Sequence, residues 1–233
     1  MLFLPSLATA VRQLFFPHVC AGCAGDQLGE DSQICLRCLQ ALHPTQFATY
    51  ANNPVEKKFI GRIPVETAMA QFYFSKASVL QQLIFNFKYG GNLLLGKQLG
   101  RSMGNSLEQS DRFAGIDLLI PVPLAPQKLR KRGFNQSAVL CHGISEITGW
   151  PVEEKHVQRL TANSTQTRKD RVQRWENVEG IFGITGQDSL QNKHVLLIDD
   201  VITTGATLEA CARALLIVSG LKISIATLCY VPG

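Results

Sequence analysis

The chain has 233 residues, of which 45% are hydrophobic, and it carries a formal net charge of +5 at pH 7. This hydrophobic content is enough for a sizeable core and excludes an intrinsically disordered protein. The mild excess of basic residues permits an anionic ligand or a nucleic acid but requires neither. No apolar run reaches the roughly eighteen residues that a membrane-spanning helix needs, so we predict no transmembrane segment.

The first sixteen residues are mostly apolar but lack the pattern of a secretory signal peptide. No basic segment precedes the apolar run, and Arg12 interrupts it. Apolar residues recur at helical spacing, which predicts an amphipathic helix that packs on the domain behind it. These residues are Leu4, Leu7, Val11, Leu14 and Phe15. We therefore expect a cytoplasmic protein.

Two Cys-x2-Cys pairs follow, with eleven residues between them. Their cysteines are Cys20, Cys23, Cys35 and Cys38. This spacing indicates a structural zinc site, because each pair presents two thiolates from a tight turn and four thiolates complete a tetrahedron. Disulfides are the alternative, but nothing in the sequence indicates an oxidising compartment. The flanking His18 and His43 are interpreted as packing or solvent-exposed residues. The other cysteines are expected in the core: Cys141, Cys211 and Cys229.

Residues 44–66 contain three prolines and several polar residues, so we predict a linker there. A strand is predicted at 68–74, followed by amphipathic helices at 77–87 and 93–107. The residues between these two helices, 88–92, include two glycines and predict a break.

Aromatic and basic residues mix at the end of the first of these helices, at Phe85, Phe87, Lys88 and Tyr89. Base stacking on aromatic rings, combined with a nearby cation, is a common way of binding single-stranded nucleic acid. The same residues also suit a helix end that covers the core. The sequence leaves both interpretations open.

A second buried strand is predicted at 117–120, and Pro121-Val122-Pro123-Leu124 forms the turn at its end. A basic cluster follows, before a helix that runs to about residue 147. Its members are Lys128, Arg130, Lys131 and Arg132. A strand end, a proline-fixed loop and a basic cluster together indicate an anion-binding site.

Residues 161–171 are polar and basic and have no apolar periodicity. They connect two short strands, predicted at 157–160 and 178–184. A connection of this length indicates a functional lid, and an ordinary solvated loop is the alternative. The basic residues expected to act in the lid are Arg168, Lys169, Arg171 and Arg174.

The most informative segment begins with the apolar run 195–198, which predicts a short buried strand. Asp199 and Asp200 follow, and Thr203-Thr204-Gly205-Ala206-Thr207 then leads into an apolar helix. Ligands of open α/β sheets bind at the carboxyl ends of strands, where helix N-termini favour phosphate. Simple capping of the helix is the alternative, but it explains neither the paired acids nor the run of small residues. A last strand is predicted at 223–229.

This segment resembles the phosphoribosyl pyrophosphate (PRPP) signature of type I phosphoribosyltransferases. The resemblance implies an α/β fold in which helices flank a mostly parallel sheet. It implies that the catalytic acids Asp199 and Asp200 hold the ribose 2′- and 3′-hydroxyls. The 5′-phosphate would be bound by Thr203, Thr204, Gly205, Ala206 and Thr207. Pyrophosphate would be bound by Pro121, Val122, Pro123 and Lys128.

Nearly the whole chain resembles the competence protein F (ComF) family of phosphoribosyltransferase-like proteins. Besides the cysteine pairs and the PRPP motif, the resemblance rests on Phe16-Pro17, Phe87-Lys88-Tyr89-Gly90, Pro121-Val122-Pro123-Leu124 and Arg132-Gly133-Phe134-Asn135-Gln136-Ser137. Family members are linked to the uptake of single-stranded DNA in natural transformation. We accordingly divide the chain into a helix and zinc ribbon (1–43), a linker (44–66) and a phosphoribosyltransferase-like domain (67–233).

Two functions remain open from the sequence. In the first, the protein is a Mg²⁺-dependent phosphoribosyltransferase, a glycosyltransferase that acts on PRPP and an unidentified acceptor while the basic lid closes over the site. In the second, it is a competence protein that binds single-stranded nucleic acid, with PRPP or a similar sugar phosphate as a regulatory ligand without turnover. Other DNA-uptake proteins are expected partners in either case.

Overall fold

The structure, a computed structural model, describes residues 18–29, 31–160 and 181–232. The predicted N-terminal amphipathic helix lies outside the described residues, as does the Phe16-Pro17 pair. The basic residues assigned to the lid lie outside them too: Arg168, Lys169, Arg171 and Arg174.

Helices and strands are interleaved along the described chain. The helices are α1 (Leu36–Gln40), α2 (Pro54–Lys57), α3 (Val79–Tyr89), α4 (Leu93–Glu108), α5 (Pro126–Arg132), α6 (Gln136–Thr148), α7 (Gln187–Leu190) and α8 (Ala206–Leu215), with a 3₁₀ turn at Asp111–Phe113. The strands are β1 (Ala68–Tyr73), β2 (Leu118–Pro121), β3 (Val157–Arg159), β4 (Phe182–Ile184), β5 (His194–Ile202) and β6 (Lys222–Tyr230).

Four of the strands form one parallel sheet in the order β1-β6-β5-β2. Residues 195–198 of β5 have no exposed surface. Strands of a parallel sheet become continuous apolar runs because helices cover both faces. β3 and β4 form a separate antiparallel pair. The predicted α/β class, with a parallel sheet flanked by helices, is therefore confirmed.

Helices α4 and α6 pack closely because glycines meet where they cross. A β-carbon on Gly100 would lie 2.4 Å from the carbonyl oxygen of Leu140. One on Gly143 would lie 2.3 Å from the carbonyl oxygen of Lys97. Real side chains do not approach backbone so closely, so both positions require glycine. Helix α6 also packs on β2 and β5, which places its first turn beside the carboxyl ends of those strands.

The segment 44–66, predicted to be a linker, packs into the same core as the sheet. Phe47, Val55 and Phe59 are at most 1% exposed. Asn53 caps α2 by accepting from the backbone N–H groups of residues 55 and 56, and its side-chain amide donates to the Ala68 carbonyl at 2.8 Å. The apolar residues of the segment 44–66 follow neither helical nor strand periodicity, so the sequence did not reveal this packing.

Two details near the carboxyl edge of the sheet also differ from expectation. Helix α3 continues through Lys88 and Tyr89, where a break was predicted. Helix α5 occupies part of the predicted basic loop. Pro126 is in its first turn, and Gly133 at φ +81° ends it in the left-handed conformation that glycine adopts most easily. Within the described part of the chain, no helix is long and apolar enough to span a membrane.

Candidate functional site

The acid pair lies near the carboxyl end of β5, with both side chains half-buried. Asp199 accepts a hydrogen bond from the Ser137 hydroxyl at 3.1 Å and one from the Asp200 backbone N–H at 2.8 Å. Burial raises the pKa of Asp199 to about 7, the Asp200 charge adds to that rise, and the two hydrogen bonds and Lys88 oppose it. The Asp199 carboxyl therefore keeps its proton to a higher pH than an ordinary aspartate does, because burial raises its pKa.

Asp200 forms a salt bridge that the sequence did not predict. The Lys88 ammonium lies 2.7 Å from Asp200 Oδ2, and each side chain is 15% exposed. Lys88 comes from the last turn of α3, well over a hundred positions earlier in the chain. An ion pair this sheltered from water is stronger than a surface pair, because less solvent screens it.

Two of the motifs that carried the family resemblance pack against each other here. The Phe87 and Phe134 ring centroids are 5.8 Å apart, and the Arg132 guanidinium lies 5.3 Å from the Tyr89 ring centroid. Asn135 donates to the Val122 carbonyl at 3.1 Å and caps α6 by accepting from the Ser137 backbone N–H. The motifs thus position the groups that hold the acid pair.

The loop 203–205 and the first turn of α8 come directly after β5 in the chain. Gly205 has φ +80° and provides no side-chain cap to α8, and the Ala206 N–H donates to the Thr204 hydroxyl at 3.4 Å. The other backbone N–H groups at the start of the helix remain available to an anion. Thr203, Thr204, Ala206 and Thr207 are exposed, whereas Gly205 is buried. This is the arrangement that a phosphate-binding loop requires.

Residues 59–62, which belong to the predicted linker, contact this loop. A β-carbon on Gly205 would lie 3.1 Å from the Phe59 ring. Arg62 donates to the Thr204 carbonyl at 3.0 Å and pairs with Glu209, which also binds Arg213 at 2.8 Å. No sequence signal pointed to Phe59 or Arg62, since they lie over 140 positions from the loop.

The predicted pyrophosphate residues are partly brought to the acid pair. Pro121 lies opposite Ile198 in the sheet, and the Val122 N–H donates to the Ile198 carbonyl at 2.9 Å. Because Ile198 directly precedes Asp199, both residues lie beside the acid pair. Pro123 follows at the edge, half-buried. Lys128 is exposed on α5.

The four N-terminal cysteines come together as predicted. Their sulfurs lie within 4.8 Å of one another, and the Cys23 and Cys35 sulfurs are 3.7 Å apart. Tetrahedral zinc with bonds of about 2.3 Å places its sulfurs about 3.8 Å apart. Burial disfavours the Cys20 thiolate, but backbone N–H groups outweigh it and lower the Cys20 pKa to about 6. The cluster can therefore hold a metal such as zinc. The remaining three cysteines are buried, as expected: Cys141, Cys211 and Cys229.

The cysteine segment is bound to the main domain by side-chain amides. Asn86 of α3 donates to the Ala21 carbonyl at 2.5 Å, and Asn92 donates to Gln33 at 2.9 Å. The Gln33 backbone N–H in turn donates to Gln98 of α4 at 2.7 Å. A cavity of about 820 Å³ lies between this segment and α3, away from the acid pair.

The chain is similar to a protein-family model, to individual protein sequences and to solved structures. A family model described as "Phosphoribosyl transferase domain" matches residues 143–233. The DNA utilization protein YhgH of Salmonella typhi is 28% identical over 95% of this chain and 87% of its own length. Competence protein F of Haemophilus influenzae is 29% identical over 58% of this chain and 61% of its own length.

Among solved structures, the adenine phosphoribosyltransferase of Saccharomyces cerevisiae aligns with 83% of this chain and 86% of its own length. Its sequence identity is 13% and its TM-score 0.42. The family-model match covers α8, β5 and β6, together with the acid pair and the loop that follows. With the parallel sheet, it confirms the predicted type I phosphoribosyltransferase-like fold.

Proposed function

Since the chain belongs to the ComF family of phosphoribosyltransferase-like proteins, we propose that it binds PRPP with Mg²⁺ at the end of β5. One observation carries the proposal. Half-buried Asp199 and Asp200 lead directly into an uncapped loop and helix N-terminus, at a strand end of a parallel sheet. The two carboxylates suit sugar hydroxyls, and the loop with its helix N-terminus suits a phosphate.

Each part of PRPP has matching groups in the proposed site. The Asp199 and Asp200 carboxylates accept hydrogen bonds from the ribose 2′- and 3′-hydroxyls. Backbone N–H groups and Thr hydroxyls of residues 203–207 donate to the 5′-phosphate. The segment 121–123 lies beside Asp199 and forms the pyrophosphate side, with Lys128 adding positive charge.

The acid pair also fits Mg²⁺, which prefers carboxylate and phosphate oxygens and keeps several of its waters. Asp199 and Asp200 would hold the ion, which would supply positive charge to the pyrophosphate. Lys88 supplies a positive charge to Asp200 from the protein itself. Ser137 holds the Asp199 carboxylate in place through its hydroxyl.

We propose transfer of the phosphoribosyl group as the reaction that this site would support. The bond from ribose C1 to the pyrophosphate oxygen would break, and a bond from C1 to the acceptor's nucleophile would form. Pyrophosphate would leave with the bonding electrons, and the basic residues of 168–174 would stabilise its charge. The acceptor is not identified by any described side chain.

Thermal unfolding with and without PRPP and Mg²⁺ tests the binding. At a PRPP concentration about 100 times Kd, the wild type should gain about 2.7 kcal/mol, or roughly 5–10 °C in Tm. The double variant Asp199→Asn/Asp200→Asn should gain almost nothing. Asp111→Asn, which changes an exposed carboxylate elsewhere, should respond as the wild type does. Equal stabilisation of wild type and double variant would refute the site.

A second candidate function is binding of single-stranded nucleic acid, with PRPP as a regulatory ligand that is not turned over. Exposed aromatic and basic side chains beside the acid pair favour it. The names of the relatives, a DNA utilization protein and a competence protein, support a role in handling DNA. Other DNA-uptake proteins would then be partners, and the site of action would be the cytoplasm.

We further propose that the ion held by the four cysteines is structural zinc. Four sulfur ligands close the coordination sphere, and so leave no open position for a substrate. The ribbon would then serve to hold the N-terminal segment against α3 and α4.

A further inference from the structure

Two aromatic side chains on the last turns of α3 face solvent. Phe85 is 55% exposed and Tyr89 is 57% exposed, although they belong to an otherwise amphipathic helix. They are four residues apart, and their ring centroids lie 5.3 Å from each other at an interplanar angle of 45°. Residues at this spacing share one face of a helix. The helix thus presents a continuous aromatic surface to water.

A cation extends this surface. The Arg132 guanidinium lies 5.3 Å from the Tyr89 ring centroid, and it donates to the Gln136 side chain at 2.8 Å. Gln136 is only 1% exposed, so it is a rigid anchor for the guanidinium. Phe85, Tyr89 and Arg132 therefore form a single patch, which we call the stacking patch.

Helix α5, which ends at Arg132, carries a strong positive charge and buries none of its residues. Its sequence Pro-Gln-Lys-Leu-Arg-Lys-Arg contains four basic residues and no acidic one. Lys128, Arg130 and Lys131 are all exposed. A helix that contributes nothing to the core and concentrates positive charge suits a polyanion rather than an apolar protein surface.

We propose that the stacking patch binds unpaired bases of a single-stranded nucleic acid, while α5 contacts its backbone phosphates. Aromatic rings and an arginine plane offer faces to any base, and those faces are accessible only when the bases are not paired. The proposal rests on the second candidate function above and assigns it to a surface. An apolar protein partner would leave the charges of α5 without counter-charges.

The stacking patch adjoins the acid pair through Lys88. This residue lies between Phe85 and Tyr89 in sequence, and its ammonium binds Asp200 at 2.7 Å. Gln136, the anchor of Arg132, precedes Ser137, whose hydroxyl binds Asp199. A strand on the patch would therefore lie next to the proposed PRPP site without using the acid pair or the loop 203–207.

Fluorescence anisotropy with a fluorescein-labelled oligothymidylate of about 20 nucleotides tests the proposal. Phe85→Ala and Tyr89→Ala should each weaken binding about ten-fold, as expected for the loss of one stacked base. Tyr89→Phe should bind as the wild type does, because it keeps the ring. Tyr50→Ala removes an exposed tyrosine outside the patch and should also leave binding unchanged.

Charge and strandedness provide two further measurements. Replacing Arg130 with Gln should reduce the slope of log Kd against log salt by about 0.7, the value for one contact with a single-strand phosphate. A duplex of the same length should bind at least ten-fold more weakly, since its bases are stacked internally. Equal affinity for the duplex would overturn the stacking proposal.

Three other outcomes would also overturn it: no oligothymidylate binding by the wild type at low salt, unchanged binding by Phe85→Ala and Tyr89→Ala, or loss of binding in the ribbon variant Arg37→Ala instead. A change in oligomeric state of the patch variants, detected by light scattering, would assign the patch to protein contact. Thermal stabilisation by PRPP and Mg²⁺ is measured on the same variants. It should persist in Phe85→Ala and Tyr89→Ala and disappear only in Asp199→Asn/Asp200→Asn, so that the two proposals fail independently.

Discussion

At the residue scale, Lys88 is the side chain whose role depends most on the fold. Its ammonium neutralises Asp200 in a position where both groups are largely shielded from water. Removing one member of such a pair leaves the other charge buried without a partner, which costs more than the pair contributes. Lys88 therefore stabilises the carboxyl end of β5.

We predict that Lys88→Met lowers the free energy of unfolding by about 2 kcal/mol. Adding Asp200→Asn should recover much of the loss, because the unpaired charge is then removed. Lys97→Met is the matched control, since Lys97 is 40% exposed and pairs with an exposed Glu146. That variant should lose under about 1 kcal/mol. Urea unfolding measures all three, and equal losses from the two lysines would contradict the prediction.

Asp199 should make stability depend on pH. The folded state holds its proton more tightly than the unfolded chain, because the pKa rises from the ordinary 3.8 to about 7. The stabilising contribution is therefore complete below about pH 4 and is lost as the pH rises through about 7.

We predict that the wild type loses stability relative to Asp199→Asn between pH 5 and pH 8, by on the order of 2 kcal/mol. For Asp117→Asn, the stability difference from the wild type should change with pH in the opposite direction and over a different pH range. A hydrogen bond from the His194 backbone N–H lowers the pKa of Asp117, so its contribution is lost only as the pH falls into the acid range. Urea unfolding across the pH range would reveal both trends, and a constant difference between wild type and Asp199→Asn would disprove the first.

At the element scale, the loop 203–205, which we propose binds phosphate, depends on a glycine and on residues from the segment 59–62. Gly205 has a positive φ and is in contact with Phe59, while Arg62 holds the Thr204 carbonyl. A side chain at position 205 would meet both a strained backbone and the Phe59 ring. The loop conformation is therefore set by an element distant in sequence.

We predict that Gly205→Ala costs about 1–2 kcal/mol of stability and weakens PRPP binding at least ten-fold. Gly115→Ala is a suitable control, because Gly115 has φ +77° but no atom within 4 Å of the added β-carbon. It should lose similar stability and keep PRPP binding. Calorimetric titration with PRPP and Mg²⁺ measures the affinities, and similar affinities in both variants would show that the loop does not bind the phosphate.

At the scale of the whole molecule, side-chain hydrogen bonds and local packing join the described part of the cysteine segment to the main domain. Asn86, Asn92 and Gln98 each hold it to α3 or α4. The segment is too short to bury a core of its own, so a bound metal would supply much of its folding free energy.

We predict that the purified protein contains about one zinc ion per chain and that a chelator or Cys38→Ser releases it. Tm should fall, and the Asn86–Ala21 contact should be lost, exposing this face of α3 to hydrogen exchange. Cys141→Ala, which changes a buried cysteine outside the cluster, should retain the zinc. Metal analysis and hydrogen-exchange mass spectrometry measure both effects. A metal-free protein with unchanged Tm would rule out the structural zinc.

Sequence alone was sufficient for the features that depend on neighbouring residues. The strand 195–198, the acid pair, the small loop and the following helix are contiguous, so periodicity and residue type define them directly. The paired cysteines are equally local, since each pair occupies one turn. The parallel sheet was implied by the resemblance of the segment 195–207 to type I phosphoribosyltransferases.

Tertiary structure alone decided which groups meet at the site. The strand order β1-β6-β5-β2 places the ends of distant segments together, so Lys88 reaches Asp200, Ser137 reaches Asp199, and Arg62 reaches the loop 203–205. Such pairs lie from about 60 to over 140 positions apart. Local propensity contains no information about them, because they arise from close packing of helices on the sheet and on one another, the latter as at Gly100 and Gly143.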